Sequence, residues 1–220
     1  MKMFSIFAII SLFLLYDGKC SDLQKRDTTE SNKYIDDLIE STKAEFGYKI
    51  EPYLPEDISY GFERKVMFVT FNGELLFKDM SISGITSVYR DGDSKMTVDN
   101  DVKKITCNLG MGVLELDSNV KLSFMKMGYT LKLQGEIGHV SVHVEASDEP
   151  GKSPKIDKVE IYDMKGVEAR LSGLGPMNYM LNQLIEISLK VFKGKVKAKL
   201  ENKLQEVFED AIKITTFPGY

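Results

Sequence analysis

The feature that most restricts the fold of this chain is a strand-like alternation whose buried side changes partway along. In "FNGELLFKDMSISGI" (residues 71–85), Leu75 and Phe77 lie on one face, and Met80 and Ile82 lie on the other by the two-residue period of a strand. One extra residue in a strand, a β-bulge, reverses the alternation in this way. The segment therefore predicts one long strand that bends and keeps burying apolar side chains.

The same reversal recurs further along the chain. Repeated bulges raise the twist of long strands and curl a sheet, so the pattern favours a strongly curved antiparallel sheet over a flat sandwich. Turn residues at Asn72-Gly73, Asp91-Gly92 and Met127-Gly128 are expected to separate the strands. The apolar phases are odd from Ile105 to Val113, even from Leu114 to Phe124, odd from Met127 to Leu133, and even from Val140 to Val144.

Two helices complete the predicted architecture. Helical spacing of apolar residues predicts one from about Glu30 to Phe46 and a longer one from about Pro176 to Lys213. The second half of the long helix has an apolar residue at every fourth position, which overshoots a helical turn by about 40°, so the stripe winds around the helix. Gly194 either bends this helix or divides it in two. The stripe is Phe192, Val196, Leu200, Leu204, Phe208 and Ile212. We expect an elongated α+β super-roll, a curved antiparallel sheet wrapped around the long C-terminal helix, with a shorter N-terminal helix.

The first residues resemble a secretory signal. Lys2 precedes a 13-residue apolar run, and Gly18 and Cys20 place small residues at a cleavage site after Cys20. We therefore expect a signal peptide over 1–20, a single domain over 21–220, and an extracellular protein; an N-terminal anchor is the alternative. Cleavage leaves Cys107 as the remaining cysteine, either a buried small hydrophobe or a reactive thiol.

Charge and motifs argue against several functional classes. Cleavage of the leader would remove two lysines and one aspartate and change the formal net charge from −4 to −5. A net negative charge disfavours general nucleic-acid binding. His139 and His143 lie about 13 Å apart along a strand, too far to bind one metal ion. Since the catalytic motifs we sought are missing from the sequence, we expect no catalytic residues, metal or cofactor, and a protein that is not an enzyme.

At this point the chain shows a family resemblance. The block "FERKVMFVTFNGELLFKDMSISGI" and the tail "SGLGPMNYMLNQLIEISLKVFKGKVKAKLENKLQEVFEDAI" resemble the group-seven mite allergens. They are similar, more loosely, to the wider superfamily of bactericidal/permeability-increasing protein and the insect juvenile-hormone-binding proteins. The hormone carriers rely on disulfides, so the single mature cysteine favours the mite branch. The resemblance implies a secreted super-roll that holds a lipid-like molecule between sheet and helix.

The predicted site is an apolar cavity between the first half of the long helix and the curved sheet, lined by side chains that bury the ligand without fixing its identity. Its methionines are equally consistent with core filling. The alternative is an interaction protein with a closed core that self-associates or recognises microbial surface lipids. The expected lining is Met177, Met180, Leu184, Ile187 and Val191 on the helix, facing Val69, Phe71, Phe77, Leu116, Phe124 and Val142 on the sheet.

The long helix also carries a run of lysines. One set, Lys190, Lys193 and Lys197, projects to one side, with a second set opposite. These lysines are either solvated flanks of the apolar stripe or a surface that attracts anionic lipid head groups.

Overall fold

We describe a computed structural model of the chain, which covers residues 28–66, 68–124, 127–173 and 181–218; for residues 64, 66, 69, 71 and 181 only the backbone is described. Two helical regions flank a run of strands. The elements are α1 (28–50), β1 (Ile58–Val66), β2 (Val69–Ser83), a 3₁₀ turn (Ile85–Ser87), β3 (Tyr89–Arg90), β4 (Lys95–Asp99), β5 (Val102–Met111), β6 (Leu114–Phe124), β7 (Met127–Asp148), β8 (Lys155–Ser172), α2 (Leu181–Val191), a π-helical segment (Phe192–Val196) and α3 (Lys197–Ala211).

The strands form one antiparallel sheet, in which β2, β7 and β8 are the longest at 15, 22 and 18 residues. Along one edge of β7, β6 pairs with its first half and β5 with its second half. In the same way β2 pairs with β6, while β3 and β4 pair with β5. β8 covers the other edge of β7, and β1 covers the outer edge of β2. The main path across the sheet is β1-β2-β6-β7-β5-β3, so it departs from chain order where β2 pairs with β6 and where β5 pairs with β7.

The bend predicted within β2 is confirmed. The register of β2 against β6 shifts between Lys78 and Ser81, and Asp79 there has a φ of 49°. The Ser118 hydroxyl donates to the carbonyl of Lys78 at 2.9 Å. Four apolar side chains on both sides of this bulge are buried, so the strand reverses its alternation and still faces the core. These are Leu75, Phe77, Met80 and Ile82. β8 has two register shifts of its own against β7, which add further curvature.

Asn72-Gly73 is not a turn, contrary to the prediction. Both residues lie inside β2, and the hairpin turn comes earlier, between Val66 and Val69. The ring of Phe62 on β1 covers Gly73 so closely that a Cβ there would lie 2.3 Å from its Cζ atom. Glycine is used here for close contact with an aromatic ring inside a sheet.

Two other turn predictions had different outcomes. Asp91-Gly92 does lie in the connection between β3 and β4, whereas Met127-Gly128 is the start of β7. A two-residue turn that we did not predict joins β4 to β5 at Asn100 and Asp101, which have φ values of 49° and 64°. Positive φ at both positions is characteristic of a type I′ hairpin, which here uses Asn-Asp in place of the commoner Asn-Gly.

The long C-terminal helix is confirmed, and its described part is continuous over 181–211; residues 176–180 of the predicted span lie outside the described residues. The alternative of two helices broken at Gly194 is wrong, because the chain passes through this residue as a π-helical segment. The Lys197 amide donates to the carbonyl of Phe192, five residues back. All six residues of the predicted stripe are buried. The π-helical segment, with its wider turn, contributes to the rotation of the buried face.

α1 is longer than predicted and closes one end of the roll. Its buried side chains include Tyr34 and Leu38. The guanidinium of Arg90 on β3 donates twice to the Asp36 carboxylate, at 2.9 and 3.0 Å. At its other end, Glu51 accepts hydrogen bonds from the amides that follow β2. Among the described residues, no helix is both long and apolar enough to span a membrane. The predicted curved sheet, long C-terminal helix and shorter N-terminal helix are confirmed.

Candidate functional site

Near the β6–β7 hairpin, the concave face of the sheet carries mainly apolar side chains, arranged in rows that run across the strands. Opposed residues of antiparallel strands share a face, so each row crosses β1, β2, β6 and β7. Side chains in the middle of these rows are fully buried. The rows are Ile58, Phe77, Val120 and Leu131; Tyr60, Leu75, Leu122 and Tyr129; and Phe62, Gly73, Phe124 and Met127.

Phe192 fixes the long helix above this face. A Cβ on Gly135 of β7 would lie 2.7 Å from Cε2 of Phe192, closer than real Cβ contacts allow, so glycine is required there. Leu116 lies opposite Gly135 on β6 and beside the same contact. After Phe192, α3 runs toward Ile161 of β8, whose amide donates to Glu201 and which pairs with Val142 of β7. α2 therefore extends from Gly135 in the opposite direction, toward the end of the sheet marked by Phe124.

The buried side of α2 carries Leu184, Ile187, Val191 and one hydroxyl. Ser188 is 0% exposed, and its Oγ donates to the Leu184 carbonyl at 2.8 Å. A serine bonded to its own helix can turn toward another acceptor, so it could orient a polar group between helix and sheet. We did not predict Ser188 as a site residue. The available signal was a hydroxyl placed four residues after Leu184 and three before Val191, on the same face.

Most of the described residues of the predicted site share one core cluster. Leu184, Ile187 and Val191 of α2 belong to it together with Phe77, Leu116 and Phe124 of the sheet. Met177 and Met180 lie outside the described residues, and only the backbone of Val69 and Phe71 is described.

Val142 belongs to the same cluster but lies at a distance from α2. It follows Met127 of β7 by 15 residues, which is about 50 Å along a straight strand. Its partner on β8 is Ile161, whose amide donates to Glu201 of α3 at 2.7 Å. Val142 therefore lies under α3 and not beside Phe124.

The Phe124 end of the roll also exposes apolar side chains. The rings of Phe62 and Phe124 stack with their centroids 6.0 Å apart. Phe68, at the turn between β1 and β2, is 96% exposed, and Met127 is close to half exposed. An apolar rim at this end would let an apolar molecule approach the helix–sheet interface without crossing a polar surface.

Described residues line three surface depressions that lie away from α2. The first, of about 270 Å³, lies on the outer face of β6, β7 and β8. The second, of about 380 Å³, lies between the β7–β8 connection and the C-terminal tail. The third, of about 470 Å³, lies beside the β4–β5 turn.

The lysines predicted to attract anionic lipid are divided by their contacts. Lys190 and Lys193 are exposed, and neither has an ion-pair partner in the part of the chain that the structure describes. Lys197 lies 3.7 Å from Glu201 in an ion pair. Two free ammonium groups therefore lie close to the α2 end of the helix.

The histidine pair and the cysteine have ordinary surroundings. His143 lies 2.9 Å from Asn108 and 3.4 Å from Glu145, and the described residues hold no group of three side chains suited to a metal ion. Burial raises the pKa of the Cys107 thiol to about 12, so the reactive thiolate is disfavoured at neutral pH. Cys107 fits the buried small hydrophobe that the sequence indicates.

Comparison with known proteins finds one matching family, related sequences and similar solved structures. A family model described as Group 7 allergen matches residues 30–212. Mite allergen Lep d 7 of Lepidoglyphus destructor is 23% identical over 190 residues, covering 85% of this chain and 86% of that protein. Mite allergen Der f 7 of Dermatophagoides farinae is 23% identical over 186 residues, covering 83% and 85%. Among solved structures, Takeout 1 of Epiphyas postvittana is 13% identical with a TM-score of 0.47, covering 76% of this chain and 79% of that one.

Proposed function

The chain belongs to the group 7 allergen family, and we propose that it is a secreted, non-enzymatic protein that binds an apolar ligand between α2 and the concave face of the sheet. The observation that carries the proposal is that Leu184, Ile187 and Val191 of α2 share one buried apolar cluster with Leu122 and Phe124 of β6. Ser188, on the same helix, is fully buried. Burial of an aliphatic chain there would contribute about 25 cal/mol per Å².

The two halves of the long helix differ in how they are held. α3 is tied by polar contacts: Glu201 to the Ile161 amide, Lys199 to Glu56, and Asp210 to Lys49 of α1. Within the described part of the chain, residues 184–191 make no hydrogen bond or ion pair to a strand. Apolar contacts are non-directional, so the contacts between α2 and the sheet can be replaced by equivalent contacts with an apolar ligand. α2 is therefore the half that moves to admit a ligand.

The charges beside α2 favour an anionic head group. Lys190 and Lys193 have no ion-pair partner among the described residues, and each lysine near an anionic lipid surface contributes about 1 kcal/mol. A single-chain lipid would place its tail against the apolar rows and its head group toward these lysines. Ser188 would bond to a polar group along the chain.

Displacement of a fluorescent fatty-acid probe from delipidated protein tests this function. We expect saturable binding by the native sequence and at least about tenfold weaker binding by Ser188→Leu, because the larger side chain occupies space proposed for the ligand and the hydroxyl is lost. Ser123→Leu, on the exposed face of β6, is the matched control and should bind like the native protein. Thermal melts confirm that both variants fold. An absence of saturable binding, or unchanged binding by Ser188→Leu, would contradict the proposal and favour a closed core.

A further inference from the structure

A second place for a ligand lies at the opposite end of the roll, where the chain turns back after α3. The pocket of about 380 Å³ lies between the β7–β8 connection, at Asp148, Lys152 and Pro154, and the tail over 212–217. Its volume falls within the range of small-molecule sites and is more than ten times the roughly 30 Å³ that one water molecule occupies. The pocket can therefore hold an organic molecule.

One buried polar atom of the pocket lining, and a second behind its Phe217 wall, lack hydrogen-bond partners among the described residues. Asp148 and Tyr34 are each 3% exposed, and neither Oδ2 of Asp148 nor Oη of Tyr34 has a partner among the described residues. Asp148 lines the pocket, and the Tyr34 ring packs against Phe217 of its wall with centroids 4.9 Å apart. Burial, and then the charge of Asp148, raise the pKa of Tyr34, consistent with the proximity of the two groups. Unpartnered buried polar atoms are rare in native proteins.

The chemistry of these two atoms limits what could satisfy them. An ionised carboxylate only accepts hydrogen bonds, whereas a protonated phenol donates one, so a single hydroxyl group can serve both. A carboxylic acid in the ligand would be repelled by Asp148. Lys103 lies opposite Asp148 in the β5–β7 pairing, donates to the Pro218 carbonyl at 3.3 Å, and brings a compensating positive charge. Lys152 and Lys213 are held in ion pairs with neighbouring acidic residues. The balance of charge favours a neutral ligand over a cation.

We propose that this pocket binds the hydroxyl end of a small aliphatic alcohol. The hydroxyl donates to Oδ2 of Asp148 and accepts from the phenol of Tyr34, while the carbon chain lies against Ile212, Ile214 and Phe217. The inference does not rest on the function proposed above, because no residue of α2 takes part.

An NMR titration of the full chain with 1-octanol tests the inference. We expect saturable shifts in the amides of residues 215–217, and about tenfold weaker binding of methyl heptyl ether, an isomer without a donor. Tyr34→Phe and Asp148→Asn should each weaken octanol binding about tenfold. The matched controls Tyr162→Phe and Asp163→Asn, on β8, should stay within about twofold of the native protein. Thr216→Trp, which fills the pocket and leaves both polar groups unchanged, should abolish the shifts even if the other variants fold poorly.

Several results would overturn the inference. Equal binding of the ether and the alcohol would remove the role of the two polar atoms. Shifts confined to the amides of α2 would place the alcohol in the helix–sheet interface. The absence of saturable shifts would mean that the pocket holds water only.

Discussion

Replacement of Phe192 by alanine is expected to lower the free energy of unfolding by about 3–5 kcal/mol, the range for removing a fully buried aromatic ring. The ring lies on Gly135 at the centre of β7 and holds the π-helical segment on the sheet. Urea denaturation followed by far-ultraviolet circular dichroism measures the effect. Phe68→Ala is the matched control, since that ring is almost fully exposed and its loss should change stability by less than about 0.5 kcal/mol.

A double-mutant cycle separates the specific contact from simple loss of apolar surface. Gly135→Val should by itself be destabilising, because its added atoms occupy the position of the Phe192 ring. Combined with Phe192→Ala, it should cost less than it does alone, with a coupling energy of about 1 kcal/mol or more. If the two changes in the free energy of unfolding were additive, the contact between the ring and the glycine would not determine where the helix packs on the sheet.

Deletion of Asp79 is expected to lower the free energy of unfolding by about 3–6 kcal/mol. Without the bulge, β2 would keep one alternation, and Met80 and Ile82 would turn toward solvent. Each exposed side chain of this size loses about 1.5–3 kcal/mol of burial. Chemical denaturation measures the loss, and binding of a hydrophobic dye would report the newly exposed surface.

Asp79→Gly is the control for this deletion. Glycine adopts the positive φ of residue 79 readily and keeps the residue count, so stability should change by less than about 1 kcal/mol. A deletion variant as stable as the native protein would show that the bulge does not set the buried side of β2.

The sequence was informative where an apolar pattern reports directly on a buried face. The reversal within β2 and the four-residue stripe of the long helix both predicted burial that the structure confirms. Alternation identifies the face of a strand but not the position along it, which is why Val142 was placed with Phe124 although the two lie far apart along β7. Asn72-Gly73 has the composition of a hairpin turn. The glycine is needed instead for contact with the Phe62 ring, which comes from a neighbouring strand and is therefore not visible in the local sequence.

The polar atoms of greatest functional interest differ in how far local pattern indicates them. Helical spacing places Ser188 on the apolar face of α2, and the structure shows that it is fully buried. Tyr34 and Asp148 are separated by more than 100 residues, and they approach each other because α1 and the end of β7 pack at the same end of the roll. Such pairs depend on tertiary packing, which no periodicity encodes.

The central claim is that an apolar chain lies between α2 and the sheet, and contact quenching tests it most directly. The protein has no tryptophan, so Ile187→Trp places a single reporter on the buried face of α2, and Tyr162→Trp places one on an exposed position of β8. Bromine atoms quench indole fluorescence on contact. We predict that brominated stearic acid quenches the reporter at position 187 saturably and leaves the reporter at position 162 unchanged. Equal quenching of both reporters, or of neither, would contradict the account.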